Sequence, residues 1–176
     1  MRFSARVLLP CAVALACHRV GTTLPPLPAA TVAMRSASGV DVGMLQLDRV
    51  AGGVQLSGTL SGLPAGAHGI HIHQVGRCDP PDFASAGPHL NPAGAQHGLD
   101  NPAGPHAGDL SGITVDGSGR ATVKLTTARV TLDAAAGGLF DADGSAIVIH
   151  ASEDDQRTDP SGNSGARIAC GVVTRS

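Results

Sequence analysis

Short segments in which apolar and polar residues alternate, or in which β-branched residues dominate, recur along the chain from residue 31 onward. Turn sequences such as Ala-Gly-Gly at 51–53 and Asp-Gly at 116–117 and 143–144 separate several of them. Strands of this length and spacing are typical of antiparallel sandwiches and barrels. The predicted strands are 31–36, 42–50, 54–60, 69–74, 112–115, 121–127, 146–150 and 167–173.

Two stretches do not fit this strand pattern. Residues 76–109 contain six prolines and show little periodicity, and residues 151–165 are polar. Loops this long are uncommon in a compact domain, and they are usually functional or disordered. No segment has the periodicity of a long helix. The chain is therefore predicted to be all-β, with eight antiparallel strands in a barrel or sandwich and two long functional loops.

Composition limits the classes of function. The 176 residues suit one domain, and the formal net charge is only −2. No basic block indicates a nucleic-acid partner, and no acidic run indicates a charged tail. The 24 glycines and 12 prolines agree with strands and loops rather than helices.

The first residues have the features of an export signal. Arg2 and Arg6 form a short basic start, residues 7–16 are almost wholly apolar, and Ala14-Leu15-Ala16 matches a small-x-small cleavage site. This apolar run is too short to span a bilayer. An N-terminal strand is the alternative, and Pro10 disfavours it. We predict a signal peptide at 1–16, a proline-containing linker at 17–30 and the main domain at 31–176.

Histidines on predicted strands form a first candidate metal set. In a strand, His71 and His73 project from the same face, roughly 7 Å apart, and His150 ends the apolar run 146–149. Three or four imidazoles around one ion suit copper or zinc. The alternative, two surface histidines on an amphipathic strand, would be favoured if His-x-His stood alone.

The long loop carries a second candidate set: His89, His97, His106 and Asp109. Three nitrogens and one carboxylate make a closed tetrahedral set, which suits a structural zinc ion. Chance spacing can mimic either set, but the joint occurrence of both is far more specific.

Four stretches carry a clear resemblance to a known family. They are Gly-Ile-His-Ile-His at 69–73, Ser-Ala-Gly-Pro-His-Leu-Asn-Pro at 85–92, His-Ala-Gly-Asp-Leu at 106–110 and Gly-Asn-Ser-Gly-Ala-Arg-Ile-Ala-Cys-Gly at 162–171. The chain resembles a copper/zinc superoxide dismutase of the bacterial secreted (periplasmic) type. The resemblance implies an eight-stranded Greek-key β-barrel, a fold in agreement with the predicted strands.

The resemblance also implies the metal ligands. Copper would be bound by His71, His73, His89 and His150. Zinc would be bound by His89, His97, His106 and Asp109. His89 would then bridge the two ions through both ring nitrogens.

Further positions take roles from the resemblance. Asp154 matches a carboxylate that links His71 to His97, and Arg167 matches an arginine that attracts a small anion beside the copper. Cys78 and Cys170 match a disulfide; from the residues alone, oxidation of this pair in an exported chain competes with metal ligation. His68, three residues before the first ligand, is interpreted as structural or supporting.

The second loop departs from the family pattern. Relatives often carry lysine and glutamate there to steer the anion, whereas this chain reads Asp-Gln-Arg-Thr-Asp-Pro-Ser at 155–161. We interpret Arg157 as the replacement for the lysine. Leu90 also stands where relatives often have an aromatic residue.

The implied function is disproportionation of superoxide to oxygen and hydrogen peroxide, which would protect against extracytoplasmic superoxide. Arg167 and His89 would take part in catalysis. The alternative is a metal-binding module without activity, such as a copper store, a chaperone or a zinc-stabilised interaction domain. Dedicated copper carriers usually rely on exposed Cys or Met, and this chain has three Met. The protein would be a monomer or a homodimer, with no nucleic-acid partner.

Cys17 leaves two forms of the exported protein open. If the leader is cut after Ala16, Cys17 becomes the new N-terminus and an odd thiol in an oxidising compartment. Lipid modification of Cys17 would remove that thiol and anchor the protein to a membrane. A cut elsewhere would release a soluble periplasmic protein.

Overall fold

The computed structural model describes residues 29–176, and this part of the chain contains nine strands and one short 3-10 helix, Ala84–Ala86. The predicted signal peptide, most of the linker and Cys17 lie outside these residues. None of the described helical residues forms a segment long and apolar enough to cross a membrane. The strands are β1 (Ala30–Ser36), β2 (Asp41–Val50), β3 (Gly53–Ser61), β4 (Gly66–His68), β5 (Ile70–His73), β6 (Ile113–Val115), β7 (Arg120–Thr127), β8 (Ala146–His150) and β9 (Arg167–Arg175).

Seven strands form one antiparallel sheet in the order β5-β8-β9-β1-β2-β3-β7, and β4 pairs with β6 in a second, two-stranded sheet. A tight turn at 116–119 connects β6 to β7, and β4 runs directly into β5. The small sheet therefore joins the two edges of the large one, and the whole curls around a single core. The prediction of an all-β antiparallel fold is confirmed.

Strand alternation places the core on the inner face. Val32 and Met34 of β1, like Ile70 and Ile72 of β5, are fully buried in one apolar cluster. In β5 the other face is buried as well, because loops cover it. On the face of β5 that the loops cover, the buried side chains are polar: they are His71 and His73.

The predicted strand 69–74 corresponds to β5, whereas the short strand β4 just before it, at Gly66–His68, was not predicted and is a correction. His68 pairs with Ile113 in the small sheet, whereas Ile70 pairs with Ile149 in the large one. The change of sheet occurs at Gly69, whose N–H donates to Ser152 and whose carbonyl accepts from His150. A Cβ at Gly69 would lie only 2.9 Å from the Ser164 side chain. Residues 66–69 read Gly-Ala-His-Gly, which gives too little alternation to reveal a three-residue strand.

The loop 76–109 is tied to the edge strand β5 by backbone hydrogen bonds. The Ile72 N–H donates to Gly108, the Ile72 carbonyl accepts from Leu90, and the Gly108 N–H donates to Leu90, each at 2.9 Å. These bonds satisfy edge groups that would otherwise be open to another chain. They also place the loop histidines directly over the exposed edge of β5. A third long connection, residues 128–145, was not singled out by the sequence pattern.

Candidate metal centre

The strand-borne histidines and one loop histidine converge on a single point. The ligand atoms of this set all lie within 4.8 Å of one another, and every member is buried. The ring centroids of His71 and His73 are 6.4 Å apart, close to the separation expected for alternate residues of a strand. We name this group the first set; its members are His71, His73, His89 and His150.

One nitrogen on each ring of the first set has no hydrogen-bond partner. These buried atoms are His71 Nδ1 and the Nε2 atoms of His73, His89 and His150. Only one other buried side-chain polar atom within residues 29–176, the Ser145 hydroxyl, is in this state. A buried polar atom without a partner costs about 1–3 kcal/mol. Four such atoms facing one another fit a bound metal ion, and the all-imidazole donor set suits copper.

The opposite ring nitrogens are held by acceptors. His73 Nδ1 donates to the Gly87 carbonyl at 2.8 Å, His150 Nδ1 donates to the Gly165 carbonyl at 3.1 Å, and His71 Nε2 donates to Asp154 at 2.6 Å. Each donor nitrogen carries the ring proton, so each opposite nitrogen presents a lone pair. Such outer partners fix the tautomer and the ring orientation of metal ligands.

The loop residues form the second set: His89, His97, His106 and Asp109. Asp109 Oδ1 lies 2.9 Å from His89 Nδ1, 3.0 Å from His97 Nδ1 and 3.3 Å from His106 Nδ1. Its Oδ2 atom accepts N–H groups from Gly98 and His106. This leaves Oδ1 as a fixed oxygen among three nitrogens, the donor set of a closed tetrahedral zinc site.

His89 belongs to both sets through different atoms. Its Nδ1 faces Asp109 in the second set, and its Nε2 is one of the unpartnered atoms of the first. A backbone bridge between His73 and His89 holds the loop at this position. The ring therefore has the placement that a shared ligand requires.

Asp154 connects the two sets by accepting hydrogen bonds from one histidine of each. Its Oδ2 accepts from His71 Nε2 at 2.6 Å, and its Oδ1 accepts from His97 Nε2 at 3.0 Å. Gly162 packs against this carboxylate so closely that a Cβ there would collide with it. The requirement for glycine at 162 is a contact that the sequence alone did not indicate.

Burial and hydrogen bonds set the charges of these groups in the metal-free protein. Burial lowers the pKa of His89 to about 4 and that of His150 to about 3, and it lowers the pKa of His73 well below its usual value. Burial opposes the charge of His97 too, but hydrogen bonds to Asp109 and Asp154 outweigh it and raise its pKa to about 9.

The pKa values of the two carboxylates are lowered even though burial acts to raise them. Burial alone would raise the pKa of Asp109 and of Asp154. Hydrogen bonds from His89 and His97 lower that of Asp109, and bonds from His71 and His97 lower that of Asp154, both far below the usual range. Neutral imidazoles and ionised carboxylates are the forms that bind metal ions.

Arg167 lies beside the first set, at the start of β9. Its guanidinium donates to the Phe83 carbonyl at 2.6 Å and to the Gly87 carbonyl at 2.7 Å. Burial lowers its pKa, and its charge in turn lowers the pKa of His73 and of His150. A half-buried cation at the wall of a cavity of about 460 Å³ is suited to attract a small anion.

A disulfide joins Cys78 to Cys170, as the resemblance implied, with a Cα–Cα distance of 5.7 Å. It pins the start of the loop to β9, three residues beyond Arg167. The alternative in which these cysteines bind metal is therefore wrong.

The remaining predicted residues lie around this centre. The ring nitrogens of His68 are each 2.8 Å from a carbonyl oxygen, Nδ1 from that of His150 and Nε2 from that of Pro64, so His68 supports the backbone of a first-set residue. Arg157 is exposed and faces Asp100 at 3.7 Å. The carbonyls of Gly87 and Gly165 could not be found from sequence, because a backbone acceptor leaves no side-chain signal.

The chain is similar to known proteins over most of its length. The model of the family described as copper/zinc superoxide dismutase matches residues 41–173. A Cu-Zn superoxide dismutase of Aquifex aeolicus is 46% identical over 137 residues, which cover 77% of this chain and 81% of that protein. One from Caulobacter vibrioides is 43% identical over 147 residues, covering 82% and 84%.

Solved structures show the same similarity. A mutant of a SOD-like protein from Bacillus subtilis superposes with a TM-score of 0.78 at 39% identity, covering 81% of this chain and 95% of that one.

Proposed function

The chain belongs to the copper/zinc superoxide dismutase family, and from that premise we propose that its first set binds copper, its second set binds zinc, and His89 is shared between them. The activity is that of the family, an oxidoreductase reaction that converts two superoxide anions and two protons to oxygen and hydrogen peroxide. The observation that carries the assignment is the group of four unpartnered buried nitrogens, one from each first-set histidine.

Bound copper supplies the one-electron redox chemistry, and bound zinc supplies a fixed positive charge. The protein orients the reactants and moves the protons. When it is not bound to copper, His89 Nε2 would carry the proton that one superoxide needs on its way to peroxide, while Nδ1 would remain in the second set and keep the ring from turning. The second proton comes from solvent.

Arg167 captures and orients the substrate. Two backbone carbonyls fix its guanidinium, so that its remaining N–H groups keep a constant direction. A preorganised cation of this kind loses little freedom when an anion binds. Since the substrate is an anion, we expect Arg167 to act mainly on its rate of capture.

The proposal extends to the compartment. We propose that residues 1–16 are an export signal, that 17–30 are a linker, and that the enzyme removes superoxide outside the cytoplasm. The Cys78–Cys170 disulfide supports this location, because disulfides persist in oxidising compartments. Cys17 then offers a site for a lipid anchor.

The test is to load the purified protein with copper and zinc and to measure both metal content and superoxide decay. We expect one ion of each metal and copper-dependent decay. His73→Ala, which alters only the first set, should lose copper and activity while it retains zinc. Tight binding of both metals without superoxide decay would instead support a metal-binding module.

A further inference from the structure

A polar cavity of about 350 Å³ opens onto the second set from outside the protein. Its lining includes His89 and His106 of that set, together with Gln74 and Asp159. The His106 side chain is 8% exposed, whereas those of His97 and Asp109 are fully buried. His106 is therefore the member of the second set through which the set meets solvent, and it does so at this cavity, which we name the Asp159 cavity.

The Asp159 carboxylate is placed next to His106. Its Oδ1 atom lies 3.7 Å from His106 Nε2 and accepts the backbone N–H of His97 at 2.6 Å. No protein donor among residues 29–176 hydrogen-bonds to Oδ2, and the side chain is 48% exposed. One oxygen of the Asp159 carboxylate is thus fixed by a hydrogen bond, and the other faces solvent. The carboxylate lies beside His106, the most exposed member of the second set.

Charge separates this cavity from the one beside Arg167. No lysine or arginine lines the Asp159 cavity, and its single charged side chain apart from histidine is the carboxylate. The cavity beside Arg167 is lined by its guanidinium as well as by the Asp82 carboxylate, so that a cation is present there and not at the Asp159 cavity. A charged lining raises the local concentration of ions of opposite sign. Cations are therefore expected to gather at the Asp159 cavity.

We propose that zinc reaches the second set through the Asp159 cavity, and that the Asp159 carboxylate holds the hydrated ion before it passes to His106. This inference depends on the zinc assignment made under the proposed function. Asp159 is not a member of the final ligand set; it acts on the rate at which zinc arrives and leaves.

The effect of such a residue is kinetic. A carboxylate that attracts the ion on its path lowers the barrier for uptake and for release alike, so both rates change while the equilibrium affinity does not. One unit charge about 4 Å from a divalent ion in water corresponds to about thirtyfold in rate. Added salt should reduce the effect, because it screens exposed charges.

The experiment measures zinc uptake and release by metal-free protein in stopped flow, with a chromophoric zinc indicator. Asp159→Asn keeps an oxygen for the His97 N–H but removes the charge. Both rate constants should fall by up to about thirtyfold at low ionic strength, with a much smaller change in the dissociation constant. Asp100→Asn is the control, since it removes the same charge from an exposed position, in the loop 76–109, that is not part of the cavity. Its rates should match those of the parent protein.

Gln74 gives a second, independent series. It is exposed, lines the cavity and belongs to neither set, so its variants decide the question even if Asp159→Asn fails to fold. Gln74→Glu should accelerate zinc uptake and Gln74→Lys should slow it.

Two results would overturn the route. One is equal rates in the parent protein, Asp159→Asn and both Gln74 variants; the other is a loss of zinc affinity in Asp159→Asn with unchanged uptake. A parent protein that binds no zinc in the second set would contradict the proposed function itself, which is a different result.

Discussion

At the scale of single residues, each first-set histidine is defined by what its two ring nitrogens meet. One nitrogen donates to a carbonyl or carboxylate, and the other presents a lone pair to the centre. The sequence indicated which histidines would gather, because their spacing and the quoted motifs are specific. It could not indicate which nitrogen each would use, since this depends on backbone carbonyls contributed by distant glycines.

His89→Ala should weaken the binding of both metals, because one ring serves both sets. We expect altered copper electronic spectra and a zinc affinity lower by at least about tenfold, the range found when a ligand or its supporting partner is lost. Titration of each metal in the presence and absence of the other checks this. Zinc affinity equal to that of the parent protein would exclude the shared ligand.

Arg167→Ala should lower the rate of superoxide decay and its dependence on ionic strength, while copper and zinc contents stay the same. The reason is that screening acts on the long-range attraction supplied by the guanidinium. Arg167→Lys serves as the control, since it keeps the charge but loses the fixed geometry. Equal rates in Arg167→Ala and the parent protein at low salt would contradict this role.

At the scale of elements, the pairing of strands in the sheets fixed those strand bounds that the apolar alternation of the sequence did not reveal. Apolar alternation predicted most strands to within a few residues, because strands with one buried face carry that pattern. It missed β4, since this three-residue strand is defined by its pairing with β6 in the small sheet. The loop 76–109 showed little periodicity of its own, and in the structure two backbone hydrogen bonds join it to Ile72 of β5.

The Cys78–Cys170 disulfide is expected to keep in place the loop segment whose carbonyl oxygens accept hydrogen bonds from Arg167. Replacing both Cys78 and Cys170 by Ser opens a closure of 92 residues and should cost at most about 4–5 kcal/mol of unfolding free energy. Superoxide decay should fall while zinc is retained, because Phe83 and Gly87 lie in the released segment. Urea unfolding and hydrogen exchange of residues 78–87 measure the two effects. Unchanged exchange in that segment would show that the loop is held by other contacts.

At the scale of the whole molecule, the fold brings together charges that would repel or remain hydrated in the unfolded chain. Three buried histidines resist protonation, while His97 favours it. The identity of the family and the class of fold were predictable because the motifs lie across most of the chain. These charge states were not, because they depend on burial and on partners up to about 80 residues away in sequence.

The stability of the metal-free protein should be greatest near pH 6.5. Below that value the unfolded chain protonates His89 and His150 before the folded protein does, so stability falls as the pH drops towards 4, by about 2 kcal/mol for each of them at pH 5. Above it the His97 contribution is lost progressively up to about pH 9. Urea unfolding at pH 5, 6.5 and 8.5 tests this, with His97→Gln as the control that should lose the alkaline decline. A flat profile would contradict it.

Cys17 decides between an anchored and a soluble form of the exported protein. If lipid is attached there, the native protein should enter the detergent phase on phase partitioning, and Cys17→Ser should return it to the aqueous phase. The lipid chains would supply the apolar surface that drives this transfer. A native protein that remains wholly aqueous would leave the soluble form.

Asp154 has a thermodynamic consequence beyond the positions of two rings. One carboxylate fixes a histidine of each set, so any ion that orders one side also prepares the other. We therefore expect the two metals to bind cooperatively, with a coupling that is necessarily reciprocal: the factor by which zinc tightens copper would equal the factor by which copper tightens zinc. A cell that limits the supply of either metal would thereby control the occupancy of both, through a side chain that touches neither.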